Sequence, residues 1–269
     1  MRILAAMVVS LLPLAASASQ LTELAAHAKA AVVHLEILDS TGEDIGNGTG
    51  FFISSDGLVA TNHHVVADAQ GMRAVLASGE QRKVLGVLAD DEVKDVAIIQ
   101  VEGSGYPALE LGESERLTEG VPVVVIGSPM GLSWTLSEGI VSAARRELPR
   151  EFAKNAPEEL KRRFPLVQIT APISPGSSGS PVMGVDGKVI GVAQSIFEGA
   201  ANVGFAVPVE TLAKLRAGIQ PGTRPRPLYQ LPWRNLYISL GVFAVLGGAW
   251  FLRGRRSRQT ARARNFRRG

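Results

Sequence analysis

Between residues 50 and 101 the chain is a succession of short β-rich runs cut by Ser-Asp-Gly, Ser-Gly and Asp-Asp turns. Runs this short, separated this tightly, suit antiparallel pairing, and closing such a sheet on itself removes its unpaired edges. A second set of strands is expected between residues 121 and 207. The pattern predicts two small β-barrels packed together with a cleft between them. No internal repeat relates the two halves. Ahead of the first barrel, alanines and leucines over residues 20–33 predict a short helix that runs into a first strand at residues 31–38. The 269 residues, 46% of them hydrophobic, suffice for one sizeable core and a small addition.

The stretch Ser174-Pro175-Gly176-Ser177-Ser178-Gly179-Ser180-Pro181 sets a serine between glycines in a tight turn, where a hydroxyl and backbone amides can converge. Acyl transfer by serine needs a base to take the hydroxyl proton, a carboxylate to orient that base, and N–H donors aimed at the oxyanion. The hairpin over residues 48–66 ends in His63 and His64, either of which could be a base held on strands. Asp95 immediately precedes the run Val96-Ala97-Ile98-Ile99, at a strand entrance, whereas Asp90 and Asp91 read as a solvated turn. Base, orienter and nucleophile then follow in the order His, Asp, Ser. The chain has no cysteine, which excludes a thiol nucleophile, thiolate metal sites and disulfides. Adjacent histidines on a strand would point to opposite faces, and no carboxylate cluster completes a zinc site, so neither metal nor cofactor is expected.

These contexts resemble the trypsin-like serine proteases, and within them the HtrA/DegP-like branch, over residues 46–208. Thr61-Asn62-His63-His64-Val65-Val66 is similar to that family's TNxHVV pattern and marks His64 as the base. Asp95-Val96-Ala97-Ile98-Ile99 resembles its acid motif, and Ser174 to Pro181 resembles NPGNSGGP, with Ser178 as nucleophile. Two further segments fit, Val125 to Gly131 with Glu138 to Ser142, and Val203 to Pro208. The resemblance implies an all-β fold of two six-stranded antiparallel barrels and peptide-bond hydrolysis through His64, Asp95 and Ser178. The turn Gly176-Ser177-Ser178 would form the oxyanion hole through the Gly176 and Ser178 amides. The specificity pocket would be walled by Pro172, Ile173 and Ser174 on one side and by Val203, Gly204, Phe205 and Ala206 on the other. None of these is charged, so a small or medium aliphatic side chain is the expected guest, and Gly204 to Ala206 would pair with the substrate backbone as an added strand. Two departures stand out: His63 where the family often has Asn, and Ser180 for the second glycine, which would tighten the cleft wall.

Both ends carry topological signals. Arg2, the apolar run from Ile3 to Ala16 and the small residues Ala16-Ser17-Ala18 read as an export signal over residues 1–18, with 14 apolar residues being short for a membrane span. The body would occupy residues 19–217 and a Pro-rich extended tether residues 218–235. Residues 236–252 form an uncharged 17-residue stretch at the lower limit for a transmembrane helix. Eight arginines and no acid follow in residues 253–269, which places this tail on the cytoplasmic side and the body in the periplasm or outside. The net charge of +3 comes from the ends: of 28 basic residues, nine are Arg2 and the tail arginines, leaving 19 against 25 acidic. That balance does not favour nucleic acid.

The 16 residues from Gly218 to Trp233 cannot hold the PDZ domain that many HtrA-like proteases carry next. Residues 145–163, rich in both charge signs with a helix start near Ala156, read as a surface insertion in the second barrel, either a plain solvated excursion or an element that gates access or meets a partner. Protein or peptide substrates are expected, and the resemblance brings a homotrimer as one possible assembly. A second reading keeps the fold and the membrane tether but makes the chain a binding scaffold whose oxyanion turn is collapsed. An esterase of the GxSxG type is disfavoured, because that nucleophile elbow is absent.

Overall fold

The computed structural model describes residues 12–67, 69–131, 134–148, 150–154, 158–194 and 203–228. A helix, α1 (Leu12–Ala31), leads directly into β1 (Val32–Leu38). It begins eight residues before the predicted start and is continuous across Ser17 to Ser19, where the export signal was expected to end. The first barrel is completed by β2 (Asp44–Phe52), β3 (Leu58–Thr61), β4 (Gly71–Val75), β5 (Gln81–Asp91) and β6 (Val96–Val101), with the short helix α2 (His63–Ala67) after β3. The second contains β7 (Pro122–Gly127), β8 (Thr135–Arg145), β9 (Leu166–Ile169), β10 (Pro181–Gly184), β11 (Val189–Gln194) and β12 (Gly204–Pro208). Both six-stranded sheets close, in the orders β1-β2-β3-β6-β5-β4 and β10-β11-β12-β9-β8-β7, and all neighbours are antiparallel. The insertion between β8 and β9 carries α3 (Arg150–Ala153) and α4 (Glu158–Arg163), and α5 (Val209–Ala217) follows β12.

Strand alternation explains how two barrels share one molecule. Side chains along a strand alternate between faces, and here both faces of several strands are dry. Along β6, Ala97, Ile99 and Val101 fill the first barrel while Val96 and Ile98 face outward into a shared core. Along β7, Val123 and Val125 fill the second barrel while Val124 and Ile126 face that same shared core. Runs such as Val96-Ala97-Ile98-Ile99 therefore read as continuously apolar rather than alternating. The shared core also holds Phe51, Met183, Phe205, Val207 and, from α1, Ala28 and Ala31.

Two sequence expectations change here. Asp90 and Asp91 do not form a solvated turn but end β5, where Asp90 pairs with Ala97 and Asp91 with Val96. The Pro-rich segment is not wholly free: Arg226 exchanges backbone hydrogen bonds with Val87 at 2.7 and 2.8 Å, its guanidinium reaches Asp90 at 2.6 Å, and Leu228 packs on the first barrel's core. Among the described residues no helix is long and apolar enough to cross a membrane. The predicted span at 236–252 and its arginine-rich tail lie outside the described residues, as does the start of the export signal.

Candidate active site

His64 lies on α2, not on a strand, and this turn of helix separates the two histidines. The His63 ring turns to Asp90, with Nδ1 3.0 Å from Oδ2, while His64 turns to Asp95. His64 Nδ1 lies 2.9 Å from Asp95 Oδ1 and 2.8 Å from Oδ2, and the His64 backbone N–H donates to Oδ1 at 2.9 Å. An ionised carboxylate only accepts, so in the neutral ring the proton sits on Nδ1 and Nε2 is left as an acceptor. Asp95 is 1% exposed and His64 44% exposed, so the carboxylate is sealed beneath a ring that faces solvent. The Asp95 backbone adopts φ 57°, a conformation uncommon outside glycine, asparagine and aspartate. The Asn62 side-chain amide donates to the Asp95 carbonyl at 2.7 Å and holds that turn in place.

The Ser178 turn is held from the opposite barrel. Ser177 N–H donates to the Ser174 carbonyl at 2.8 Å, and Gly176, third in the turn, has φ 89°, the combination of a type II turn with Pro175 second. Thr49 on β2 grips this turn at two points: its N–H donates to the Ser178 carbonyl at 2.9 Å and its hydroxyl to the Gly176 carbonyl at 2.7 Å. The same hydroxyl accepts from the Ser128 N–H at 3.0 Å. Both carbonyls of the turn are thereby turned toward the barrels, and the Gly176 and Ser178 N–H groups have no hydrogen-bond partner among the described residues. Glycine is required at 179, where φ is +88° and a Cβ would lie 2.0 Å from the Thr49 carbonyl oxygen.

His64, Gly176 and Ser178 line one cavity of about 310 Å³ together with Ile37, Asn47, Val65 and Pro175. No hydrogen bond joins the His64 and Ser178 side chains among the described residues, and in resting enzymes of this chemistry that contact is often long and tightens on substrate. Ile37 and Asn47 were not singled out from the sequence, because their proximity to Ser178 arises only when the barrels meet.

The two segments expected to wall a pocket are neighbours. Gly204 touches the Pro172 to Ser174 segment so closely that a Cβ there would lie 2.7 Å from Ile173 Cγ1, which brings the two predicted walls together. Yet Phe205 and Ala206 have no free edge for a substrate strand. Gly204 to Ala206 already pair with Ile169 to Val167 of β9 on one edge, and Phe205 and Ala206 with Gln194 and Ala193 of β11 on the other. Ser180 is fully buried, and a Cβ on Gly127 would fall 2.1 Å from its hydroxyl. It fills space beside β7 and does not form the cleft wall.

The Trypsin-like peptidase domain family matches residues 48–192, which contain all three predicted triad residues. The chain belongs to the trypsin-like peptidase domain family. A second family, Peptidase S46, matches residues 3–72. HhoB of Synechocystis sp. is 40% identical over 168 residues, covering 62% of this chain and 38% of that protein. The probable periplasmic serine endoprotease DegP-like of Pseudomonas fluorescens is 36% identical over 178 residues, covering 65% and 35%. This trypsin-like chain thus spans little more than a third of the length of these curated relatives. Among solved structures, the HtrA-type protease AlgW with tripeptide matches with TM-score 0.65 and 25% identity over 75% of this chain and 64% of that one. The serine endoprotease from Yersinia pestis gives 0.63 and 24% over 76% and 67%. The HtrA/DegP-like resemblance is borne out.

Proposed function

We propose that the chain is an exported, membrane-anchored serine endopeptidase. His64 takes the Ser178 proton as the hydroxyl attacks a scissile carbonyl, Asp95 fixes the imidazole tautomer and offsets its charge, and the Gly176 and Ser178 amides bind the oxyanion. The acyl-enzyme is hydrolysed by the reverse proton relay. The observation that carries this reading is the ordered pair His64–Asp95, with both carboxylate oxygens within 2.9 Å of Nδ1, opening on the cavity that Ser178 also lines. The unpartnered Gly176 and Ser178 amides favour it over a scaffold with a collapsed oxyanion turn. Substrates are extended or unfolded protein segments, cleaved in envelope protein quality control or in regulated proteolysis, and the name of the DegP-like relative, a probable periplasmic serine endoprotease, supports a periplasmic setting. The uncharged stretch at 236–252 and the arginines after it support a single span with the body outside. The test is a fluorophosphonate probe and casein cleavage on the full chain beside Ser178→Ala and His64→Ala. Labelling and cleavage lost in both variants support the proposal, and a folded wild-type chain that takes no label overturns it.

A further inference from the structure

Asp95 is gripped from a direction that the proposed reaction does not require. Arg163, the last residue of α4, places Nη1 3.4 Å from Asp95 Oδ2, the same oxygen that lies 2.8 Å from His64 Nδ1. The contact spans the two barrels, since Asp95 enters β6 of the first and Arg163 belongs to the insertion of the second.

The main chain on both sides of Arg163 is fixed independently. Lys94, the neighbour of Asp95, donates from Nζ to the Arg162 carbonyl at 2.7 Å and to the Phe164 carbonyl at 2.6 Å. Its own N–H donates to Asp91 Oδ1 at 2.9 Å. Phe164 is buried in the shared core and meets Phe205 edge to face, with centroids 6.5 Å apart. The chain from Arg162 to Phe164 is therefore clamped between the Lys94 ammonium and the second barrel, and the guanidinium is delivered to the carboxylate from a fixed base. Arg163 is 28% exposed, against 1% for Asp95.

We propose that Arg163 is a positioning residue, through which the insertion at 145–163 fixes the rotation of the Asp95 carboxylate and so the direction in which the His64 ring is held. This rests on the peptidase reading above. A donor on Oδ2, the oxygen nearest His64 Nδ1, restrains the carboxylate from a second side, and small losses of alignment in such a couple are felt in the chemical step rather than in binding. The other charged groups around this couple are committed elsewhere. His63 on α2 and Arg226 on the C-terminal segment both contact Asp90, Asp91 accepts from the Lys94 N–H, and Lys94 is bound to the insertion's carbonyls.

The experiment compares the full wild-type chain with Arg163→Gln and Arg163→Lys, and reads two quantities. The first is kcat and KM, separately, on a peptide ester. The second is the NMR signal of the His64 Nδ1–H proton, which reports its contact with Asp95, recorded in the Ser178→Ala background so that it needs no turnover. In Arg163→Gln the Nδ1–H signal should move or broaden and kcat should fall roughly three- to tenfold, with KM and the melting temperature nearly unchanged. Arg163→Lys keeps a donor at this place and should recover most of the rate. An unmoved Nδ1–H signal in Arg163→Gln overturns the inference, and so does a rate loss that is matched by a fall in melting temperature. Failure of the wild type to take a fluorophosphonate would count against the peptidase reading alone, because the ring proton is read separately.

Discussion

Thr49 illustrates how much of a site can rest on a residue that touches none of the chemistry. It is fully buried on β2, its hydroxyl reaches the Gly176 carbonyl at 2.7 Å, and its N–H holds the Ser178 carbonyl. The hydroxyl fixes which way the turn's peptides face and hence keeps the two amides aimed at the cavity. Thr49→Val preserves shape and removes this bond. Acylation by a fluorophosphonate, measured by stopped quench, should slow about tenfold, with KM for a peptide ester unchanged and Thr49→Ser close to wild type. Asp95 and Ser178 stood out in the sequence by local pattern, a carboxylate at a strand entrance and a serine between glycines in a turn, whereas His64 was chosen over His63 only through the TNxHVV resemblance. Thr49 and Arg163 did not stand out, because their partners lie 127 and 68 positions away and nothing in a strand residue or a charged insertion announces a contact across barrels. Asp90 was misread for a related reason. Two adjacent acids look like a turn, but here the strand runs on because His63 and Arg226 supply partners for Asp90.

Among the elements, the docked segment after α5 departs most from what a proline-rich composition suggests. It pairs at Arg226 with Val87, beside a register shift in β5, and the strand accommodates it with Gly86, where φ is +147° and a Cβ would sit 2.2 Å from the Arg226 carbonyl oxygen. Proline forbids some hydrogen bonds but leaves the residue between Pro225 and Pro227 free to make a pair, and a single bridge of this kind leaves no periodic trace in the sequence. Gly86→Ala should lift this segment off the barrel. The expected cost is about 1–3 kcal/mol in chemical denaturation, with faster cleavage by proteinase K between α5 and Leu228. The barrels themselves were legible because turn residues recur at strand spacing, whereas α5 was not foreseen: only Val209 and Leu212 of it are buried, too few to impose a clear helical period.

For the molecule as a whole, the proposed reaction needs both barrels, since His64 and Asp95 come from the first and Ser178 from the second. Their relative placement depends on the shared core around Phe51, Ile98, Ile126, Met183 and Phe205. Met183→Ala removes a fully buried side chain there and should cost about 2–5 kcal/mol, seen as a lower denaturation midpoint, with activity lost at a lower temperature than in the wild type. The two-sided strands that build this core have a cost that appears only when they are out of place. Val96-Ala97-Ile98-Ile99 and Val123-Val124-Val125-Ile126 are uncharged, rich in β-branched residues and apolar on both faces, the composition that stacks readily between chains. Closure of each sheet hides their edges and the neighbouring barrel hides their outer faces, so the native fold is also what keeps these segments apart from their copies in other molecules. A chain whose barrels separate is therefore expected to precipitate rather than persist as a soluble unfolded species, and light scattering during a thermal ramp of Met183→Ala should rise together with the loss of structure.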